Sequence, residues 1–197
     1  YLGFATRNLN RVLARLGHEP LDVPAWLVPL GISFLACQSI GYTADVYRGK
    51  VRRPLGLLYV AALLAFFPRL VAGPLVRTEP FAQQLEARPQ RGELLHAGLA
   101  RFALGFSKKI LLANTLAEIV EPCFTASSIA WHAAWYGALA CAFQITYDFS
   151  AYADMAIGLG QMFGFQLPEN FHSPLRATSL RDFWRRWHTS FSAWMRD

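Results

Sequence analysis

A run of 19 residues without a charged side chain extends from Trp26 to Ala44 and reads WLVPLGISFLACQSIGYTA. As an α-helix it is about 28 Å long, close to the roughly 30 Å thickness of a bilayer's hydrocarbon core. Pro29 and Gly31 fall near its beginning, where missing backbone hydrogen bonds cost least. The loop that follows is rich in basic residues, as cytoplasmic loops are: Arg48, Lys50, Arg52 and Arg53. We therefore predict a membrane span over residues 26–44.

The composition favours a membrane protein over a soluble domain. Hydrophobic residues make up 54% of the 197 residues and charged residues 16%, against about 45–50% and about 25% in soluble domains. The net charge of +6 comes from basic residues that flank apolar runs, which suits anionic lipid head groups better than nucleic acid. The 3 cysteines show neither a disulfide framework nor the spacing of a zinc site, so no metal is expected.

Other segments show helical periodicity or further apolar runs. The run over 55–76 is interrupted at Pro68 and again at Pro74, so we expect a helix followed by a kinked or re-entrant piece. The remaining segments are an amphipathic helix within 1–25, spans near 93–121, 129–147 and 149–165, and an amphipathic helix over 179–196. Together they predict an all-α, polytopic transmembrane protein with broken helices, organised as a single domain over 1–197.

Ionisable side chains concentrate near the end of the chain. Leu180 to His188 reads LRDFWRRWH, which sets a histidine among three arginines and two tryptophans. Ionisable groups at membrane depth are costly, so by default they indicate a functional site. We expect the neighbouring positive charge to lower the pKa of the His188 imidazole and keep it neutral, as a general base that takes a proton from an alcohol requires. A plain packing role for His188 is the alternative.

Two carboxylates, Asp148 and Asp154, lie on the apolar run upstream of this segment. Six residues apart on one helix, they point in different directions and do not form a catalytic pair. We expect them to pair with arginines of the downstream helix as a structural clamp. Those arginines fit either an anionic substrate group or the anionic lipid surface, and spacing alone does not choose between the two: Arg181, Arg185 and Arg186.

Six sequence blocks occur in a fixed order along the chain. They are PLGISF (29–34), DVYRG (45–49), FPRLVAGP (67–74), YDFSAYADMAIG (147–158), PENF (168–171) and FWRRWHTS (183–190). In this order they resemble the membrane-bound O-acyltransferase (MBOAT) family, in its bacterial branch of alginate O-acetyltransferases and D-alanyl-lipoteichoic-acid transferases. The resemblance implies a polytopic enzyme with a tunnel or funnel across the bilayer. In that family an acyl group from a cytoplasmic thioester reaches a hydroxyl on the far side.

The resemblance also implies roles for particular residues. His188 matches the family's catalytic Trp-Arg-Arg-Trp-His histidine. The family's second histidine, in a later Trp-His-Gly motif, has no counterpart among these residues. The residues expected to line or brace the reaction chamber are Asp148, Tyr152, Asp154, Asn170, Arg185 and Trp187. Because the chain begins at Tyr1 without a methionine, we take it as an internal piece of a longer polypeptide. Because the second histidine has no counterpart here, we expect this piece to be inactive alone.

We therefore expect an O-acyltransferase that moves an acyl group, acetyl in the first instance, to a hydroxyl of an exported polysaccharide. It is expected to be a multi-pass protein of the bacterial inner membrane. The acyl thioester, acetyl-coenzyme A or an acyl carrier protein, is a co-substrate, and no bound cofactor is expected. Expected partners are membrane lipids and an extracytoplasmic acetyltransferase or the polysaccharide acceptor. Two alternatives stay open: a transporter or flippase subunit, which the broken helix also fits, and a membrane scaffold whose aromatic helix docks a partner.

Overall fold

The structure, a computed structural model, describes residues 2–19, 21, 31–51, 56–86 and 91–196. The chain forms two compact units, Tyr1–Leu30 and Gly31–Asp197, where the sequence predicted one domain. Every regular element within the described residues is a helix and none is a β-strand, which confirms the all-α prediction for that part of the chain. None of these helices is both long enough and apolar enough to qualify as a membrane span.

The elements in chain order are α1 (Leu2–Arg15), α2 (Ile32–Tyr47), α3 (Leu57–Ala65), α4 (Thr78–Glu86), α5 (Arg91–Ser107), α6 (Thr115–Thr125), α7 (Trp131–Met162), α8 (Leu180–Arg186) and α9 (Thr189–Arg196). Two 3₁₀ turns lie at Phe67–Arg69 and Pro174–Arg176. A π-helical turn, Lys108–Asn114, joins α5 directly to α6. The predicted span over 26–44 overlaps α2, and its first residues lie outside the described part of the chain.

The first unit contains α1, which lies within the region predicted as an amphipathic helix. Gly17, at φ 76°, follows the end of this helix. The Asn10 side chain then ties the helix to the chain beyond it, because its amide donates to Leu21 O and its Oδ1 accepts from Leu21 N, each at 2.8 Å.

Helix α7 is a single element of 32 residues, whereas the sequence predicted two separate spans over 129–147 and 149–165. The predicted boundary at Asp148 is wrong because nothing there stops a helix. Between Gly137 and Gly158 the sequence has neither glycine nor proline. An acidic side chain inside a helix is tolerated once its charge is paired, as the charge of Asp148 is.

Helix α5 packs against α7 so closely that their backbones nearly touch. A Cβ atom added to Gly98 would lie 2.7 Å from Gly158 O, and one added to Gly105 would lie 2.8 Å from Ala151 O. On each helix the two small residues are seven positions apart, which places them on one face. The small size of the residues at these positions therefore permits the close approach of the two helices.

The hydrophobic core of the second unit lies where α3, α4 and the end of α7 meet. Its buried members are Leu63, Val76, Phe81, Ile157, Phe165 and Leu167. Helix α3 stops at Ala65 and the chain turns at Phe67–Arg69, because Pro68 lacks the N–H that would continue a helix. The interruption that the sequence predicted at Pro68 is thus confirmed. Gln38 Nε2 then donates to Val76 O at 2.8 Å and fixes this irregular piece against α2.

Residues 179–196 form two helices, and the single amphipathic helix predicted there is wrong. Helix α8 ends at Arg186, α9 begins at Thr189, and His188 between them has a left-handed backbone with φ 44°. Helical periodicity continues on both sides of the break, so the spacing of apolar residues does not reveal it. The break singles out the histidine that the sequence had marked.

Candidate active site

His188 occupies a turn that neighbouring backbone holds on both sides. A left-handed conformation costs an ordinary residue about 1–2 kcal/mol, so its surroundings must enforce it. Before the turn, His172 N–H donates to Arg186 O at 3.0 Å; after it, Thr189 N–H donates to Asn170 O at 3.0 Å. The segment 169–172 therefore acts as a bracket along the α8–α9 break.

Asn170 is the buried centre of this bracket, with no exposed surface. Its Oδ1 accepts from the Ser190 hydroxyl at 2.5 Å and from Ser190 N–H at 3.3 Å. Ser190 Oγ in turn accepts from Leu75 N–H at 3.0 Å. The first turn of α9 is thus fixed to the chain near Leu75 as well as to Asn170. Asn170 was expected to support the site, and its contacts are those of a positioning group.

Helix α8 is short but stabilised at both ends. Ser179 Oγ accepts from Asp182 N–H at 3.1 Å, which is the N-cap bond that the Ser-x-x-Asp pattern favours. Asp182 also accepts from Thr178 N–H at 3.3 Å and from Arg186 Nε at 2.9 Å. The hydrogen bond from Arg186 holds the pKa of the Asp182 carboxyl below its ordinary value. Arg186 Nη1 also donates to His172 O at 3.4 Å, so this side chain joins α8 to the segment 169–172.

The His188 ring lies in an aromatic environment. The Phe149 ring approaches edge-on with centroids 4.8 Å apart, and the Phe191 ring stacks on it at 5.2 Å. Nδ1 of His188 is buried and has no hydrogen-bond partner among the described residues. Burial lowers the pKa of His188 below the ordinary histidine value of 6.5, so the ring is neutral at pH 7. The predicted direction is confirmed, but its cause is burial, and Arg185 beside it is exposed.

Trp187 extends this aromatic cluster away from His188. Its ring stacks with Phe183 of α8 at 5.5 Å and contacts Phe171 edge-on at 5.0 Å, and the contact with Phe171 ties the end of α8 to the bracket. Phe171 also meets Phe149 at 5.0 Å, so the cluster is continuous with α7.

A network of ion pairs runs along the contact between α5 and α7. Asp154, 5% exposed, accepts from Arg101 at 2.7 Å and from Lys108 at 2.5 Å. Asp148 pairs with Lys109 at 2.5 Å, and the same ammonium lies 5.2 Å from the centre of the Tyr152 ring. The carboxylates are thus neutralised within the protein.

The partners of these carboxylates differ from the predicted ones. The sequence assigned them to the arginines of the downstream helix, whereas the cations come from α5 and from the π turn. The prediction is wrong because α5 lies in backbone contact with α7, whereas Arg181 and Arg185 are exposed. A clamp exists, as expected, but it joins α7 to the preceding helix.

A cavity of about 610 Å³ is lined in part by helix α9. Its walls include Leu75, Leu167, Ser190 and Trp194, with Asp45 among its charged groups. None of the residues expected around the reaction chamber lines this cavity. Within the described residues, no cluster of histidine, cysteine or acidic side chains is arranged to hold a metal ion.

Comparison with known proteins decides the family. Residues 49–197 match the model of the MBOAT, membrane-bound O-acyltransferase family. The chain belongs to the membrane-bound O-acyltransferase family. Members of this family are membrane proteins, so the chain is assigned to a membrane.

Several curated relatives of this MBOAT chain are similar over nearly its whole length. A protein of Azotobacter vinelandii named “Probable alginate O-acetylase AlgI” is 44% identical over 197 residues, which are 100% of this chain and 40% of that protein. The peptidoglycan O-acetyltransferase of Helicobacter pylori is 33% identical over 225 residues, 100% of this chain and 42% of the relative. The teichoic acid D-alanyltransferase of Bacillus subtilis is 29% identical over 198 residues, 96% and 49% respectively. The chain thus spans less than half the length of these relatives.

The structure brings some of the predicted site residues together and leaves others apart. Trp187 and Asn170 adjoin the turn that carries His188. The carboxylates of Asp148 and Asp154 on α7 pair with lysines of the π turn and not with His188. Their nearest link to the histidine is Phe149, which follows Asp148 in the chain.

Sequence reasoning missed the cations and one acid that complete this arrangement: Arg101, Lys108, Lys109 and Glu169. A signal was present, because three basic residues inside an otherwise apolar MBOAT segment require partners. The acidic residues of the apolar run at 147–158 were the candidates for these partners. Which acid meets which cation depends on helix packing, and the spacing along one segment does not contain that information.

Proposed function

We propose that this chain forms part of an enzyme that transfers an acyl group, acetyl in the first instance, from a thioester donor to a hydroxyl of an exported polysaccharide. The donor is acetyl-coenzyme A or an acyl carrier protein on the cytoplasmic side. Family membership supports acyl transfer as the reaction class. The relatives support a cell-envelope polymer as the acceptor, because their names refer to alginate, peptidoglycan and teichoic acid.

The observation that carries the proposal is the imidazole of His188, which the enforced turn holds between the Phe149 and Phe191 rings. A neutral imidazole accepts a proton from an alcohol, which is the task of a general base in acyl transfer. Because Nδ1 is buried against protein, we assign proton transfer to Nε2. As the acceptor oxygen forms its bond to the acyl carbon, its proton passes to Nε2. The carbon–sulfur bond then breaks, and the leaving thiolate takes that proton.

We propose a multi-pass location in the bacterial inner membrane. Supporting this location, α5 to α7 expose large apolar side chains such as Leu104, Phe106 and Leu111, which in water would be unfavourable. Trp131 and Trp135 are also exposed at the start of α7, as aromatic residues are at membrane interfaces. An extracytoplasmic acetyltransferase that passes the acyl group onward is the proposed partner, besides lipid and the acceptor.

The test is His188→Ala in the full-length protein, with His172→Ala as the matched control. His172 is exposed and contributes a backbone N–H to the bracket, which the alanine retains. Loss of a general base lowers the rate by about 100- to 10,000-fold, so the acyl content of the exported polysaccharide should fall accordingly. Equal amounts of both variants in the membrane fraction exclude loss of insertion as the cause.

Near-normal acylation by His188→Ala at an equal membrane level would overturn the catalytic assignment. Transport of substrate by the purified protein without consumption of thioester would favour the transporter alternative instead. Acylation that is lost in His188→Ala and retained in His172→Ala supports the proposal, because each variant removes one imidazole from the same part of the fold and only His188 is assigned to catalysis.

A further inference from the structure

Arg101 connects the ion-pair network of α5 and α7 to the bracket that holds the histidine turn. We propose that Arg101 is a positioning residue for His188 and acts through Glu169 and Thr189. This inference rests on the proposed function, because it assigns a role in the same reaction. Arg101 lies 87 positions before His188 in the chain, and neither motif nor spacing associates the two.

The first step of the connection is a guanidinium shared between two carboxylates. Arg101 Nη2 lies 2.7 Å from Asp154 Oδ1 and 2.6 Å from Glu169 Oε2. Asp154 has a second cation, Lys108, at 2.5 Å. The buried carboxylate of Asp154 therefore keeps a counter-ion when Arg101 is replaced. What the replacement removes is the tie between α5 and Glu169.

The second step leads from Glu169 to the residue that follows the histidine. Glu169 O accepts from Thr189 Oγ1 at 2.5 Å, and Asn170 O accepts from Thr189 N–H at 3.0 Å. Thr189 is thereby gripped by both its side chain and its backbone. Because His188 is held in a left-handed conformation that it would leave if free, a displaced Glu169 lets the imidazole move.

The chemistry of the side chain explains why arginine suits this position. A planar guanidinium presents several N–H donors in a rigid fork and can bind two carboxylates at once. Lysine offers one compact ammonium on a flexible stem, and Asp154 already holds such an ammonium from Lys108. Arg101→Lys therefore keeps the charge and loses the fixed geometry toward Glu169.

The test compares Arg101→Lys, Glu169→Gln and Thr189→Val in the full-length purified enzyme, with acetyl-coenzyme A as the donor probe. Misplacement of a catalytic group by about 1 Å costs as much as 100-fold in rate, so we expect kcat to fall by about 10- to 100-fold. The KM for acetyl-coenzyme A should stay within about twofold, because none of the three side chains is assigned to donor binding. Thr189→Ser retains the hydroxyl and should restore kcat.

Matched controls are Arg7→Lys and Glu86→Gln, the same chemical changes at exposed residues on α1 and α4. A double variant of Arg101→Lys with Thr189→Val should be no slower than the worse single variant, because both break one connection. Multiplied effects, or an unchanged kcat in Arg101→Lys, would overturn the inference. Glu169→Gln, whose side chain is 40% exposed, carries the test if the arginine variant does not fold.

Failure of this inference is distinguishable from failure of the proposed function. If His188→Ala abolishes acyl transfer and Arg101→Lys does not slow it, only the positioning role is refuted. If His188→Ala has no effect, the proposed function loses its catalytic residue, whatever the arginine variants show. A raised KM with unchanged kcat in Arg101→Lys would refute the route through His188.

Discussion

The contact between α5 and α7 leads to a quantitative prediction for Gly158→Ala. The added Cβ atom would lie 2.6 Å from Phe102 N and 2.7 Å from Gly98 O. Both are backbone atoms of α5, so no side-chain rotation can relieve the clash. Reaching an ordinary contact distance of 3.4 Å at both atoms requires a separation of the helices of about 0.8 Å. Overpacking of this kind costs about 1–3 kcal/mol, and backbone contacts on two sides place this site at the upper end, about 2–3 kcal/mol.

Thermal unfolding of the purified full-length protein measures this cost. The relatives are more than twice as long as this chain, and for a protein of that length 1 kcal/mol shifts Tm by about 1–2 °C, so Gly158→Ala should lower Tm by about 2–6 °C. The matched control is Gly92→Ala, also in helix α5, where an added Cβ meets no atom within 4 Å. There the better helix propensity of alanine should leave Tm unchanged or raise it slightly, since the gain is at most about 1 kcal/mol. Equal Tm values for the two variants would refute the close backbone contact.

Two further predictions concern buried basic side chains. Burial lowers the pKa of His188, so the acidic limb of the pH–rate profile for acyl transfer should lie below pH 6.5, and a limb above pH 6.5 would contradict this. The free energy of unfolding should also fall as the pH drops through 6.5, because the histidine of the unfolded chain binds its proton before that of the folded protein. Arg69, 3% exposed, has both Nη atoms without a partner among the described residues and lies over the rings of Phe66 and Phe81. Arg69→Met should therefore retain the stability of the protein in thermal unfolding or raise it by about 1–4 kcal/mol, and a large loss would reveal an anionic partner in the whole protein.

Much of the fold was predictable from the sequence because its signals are local. The all-α class follows from apolar runs and helical spacing, and the break at Pro68 follows from a missing N–H. The sequence divided α7 into two spans because its uncharged run ends before Asp148, although nothing there stops a helix. The break at His188 was missed because a turn of two residues leaves the surrounding periodicity intact.

The site was predictable only in the parts that follow from residue type. A histidine amid aromatic residues in an apolar chain marked His188 as a candidate, and the sequence also indicated that its pKa is lowered. The cause of the lowered pKa was not predictable, because the burial of His188 against Phe149 and Phe191 comes from packing. The Asn170 bracket joins residues 20 positions apart through a loop, and only the fold shows which loop carbonyl meets which N–H.

The ion pairs also constrain how α7 can present its aromatic residue to His188. Asp148 and Asp154 are six positions apart, which separates their directions around the helix axis by about 120°. Each is tied to a cation of α5 or the π turn at 2.5 Å, so α7 cannot rotate without breaking one of the two ties. Phe149 is adjacent to Asp148 and its edge meets the His188 ring at 4.8 Å. The network therefore acts on the histidine from two sides, through the rotation of α7 and through the segment that grips the turn.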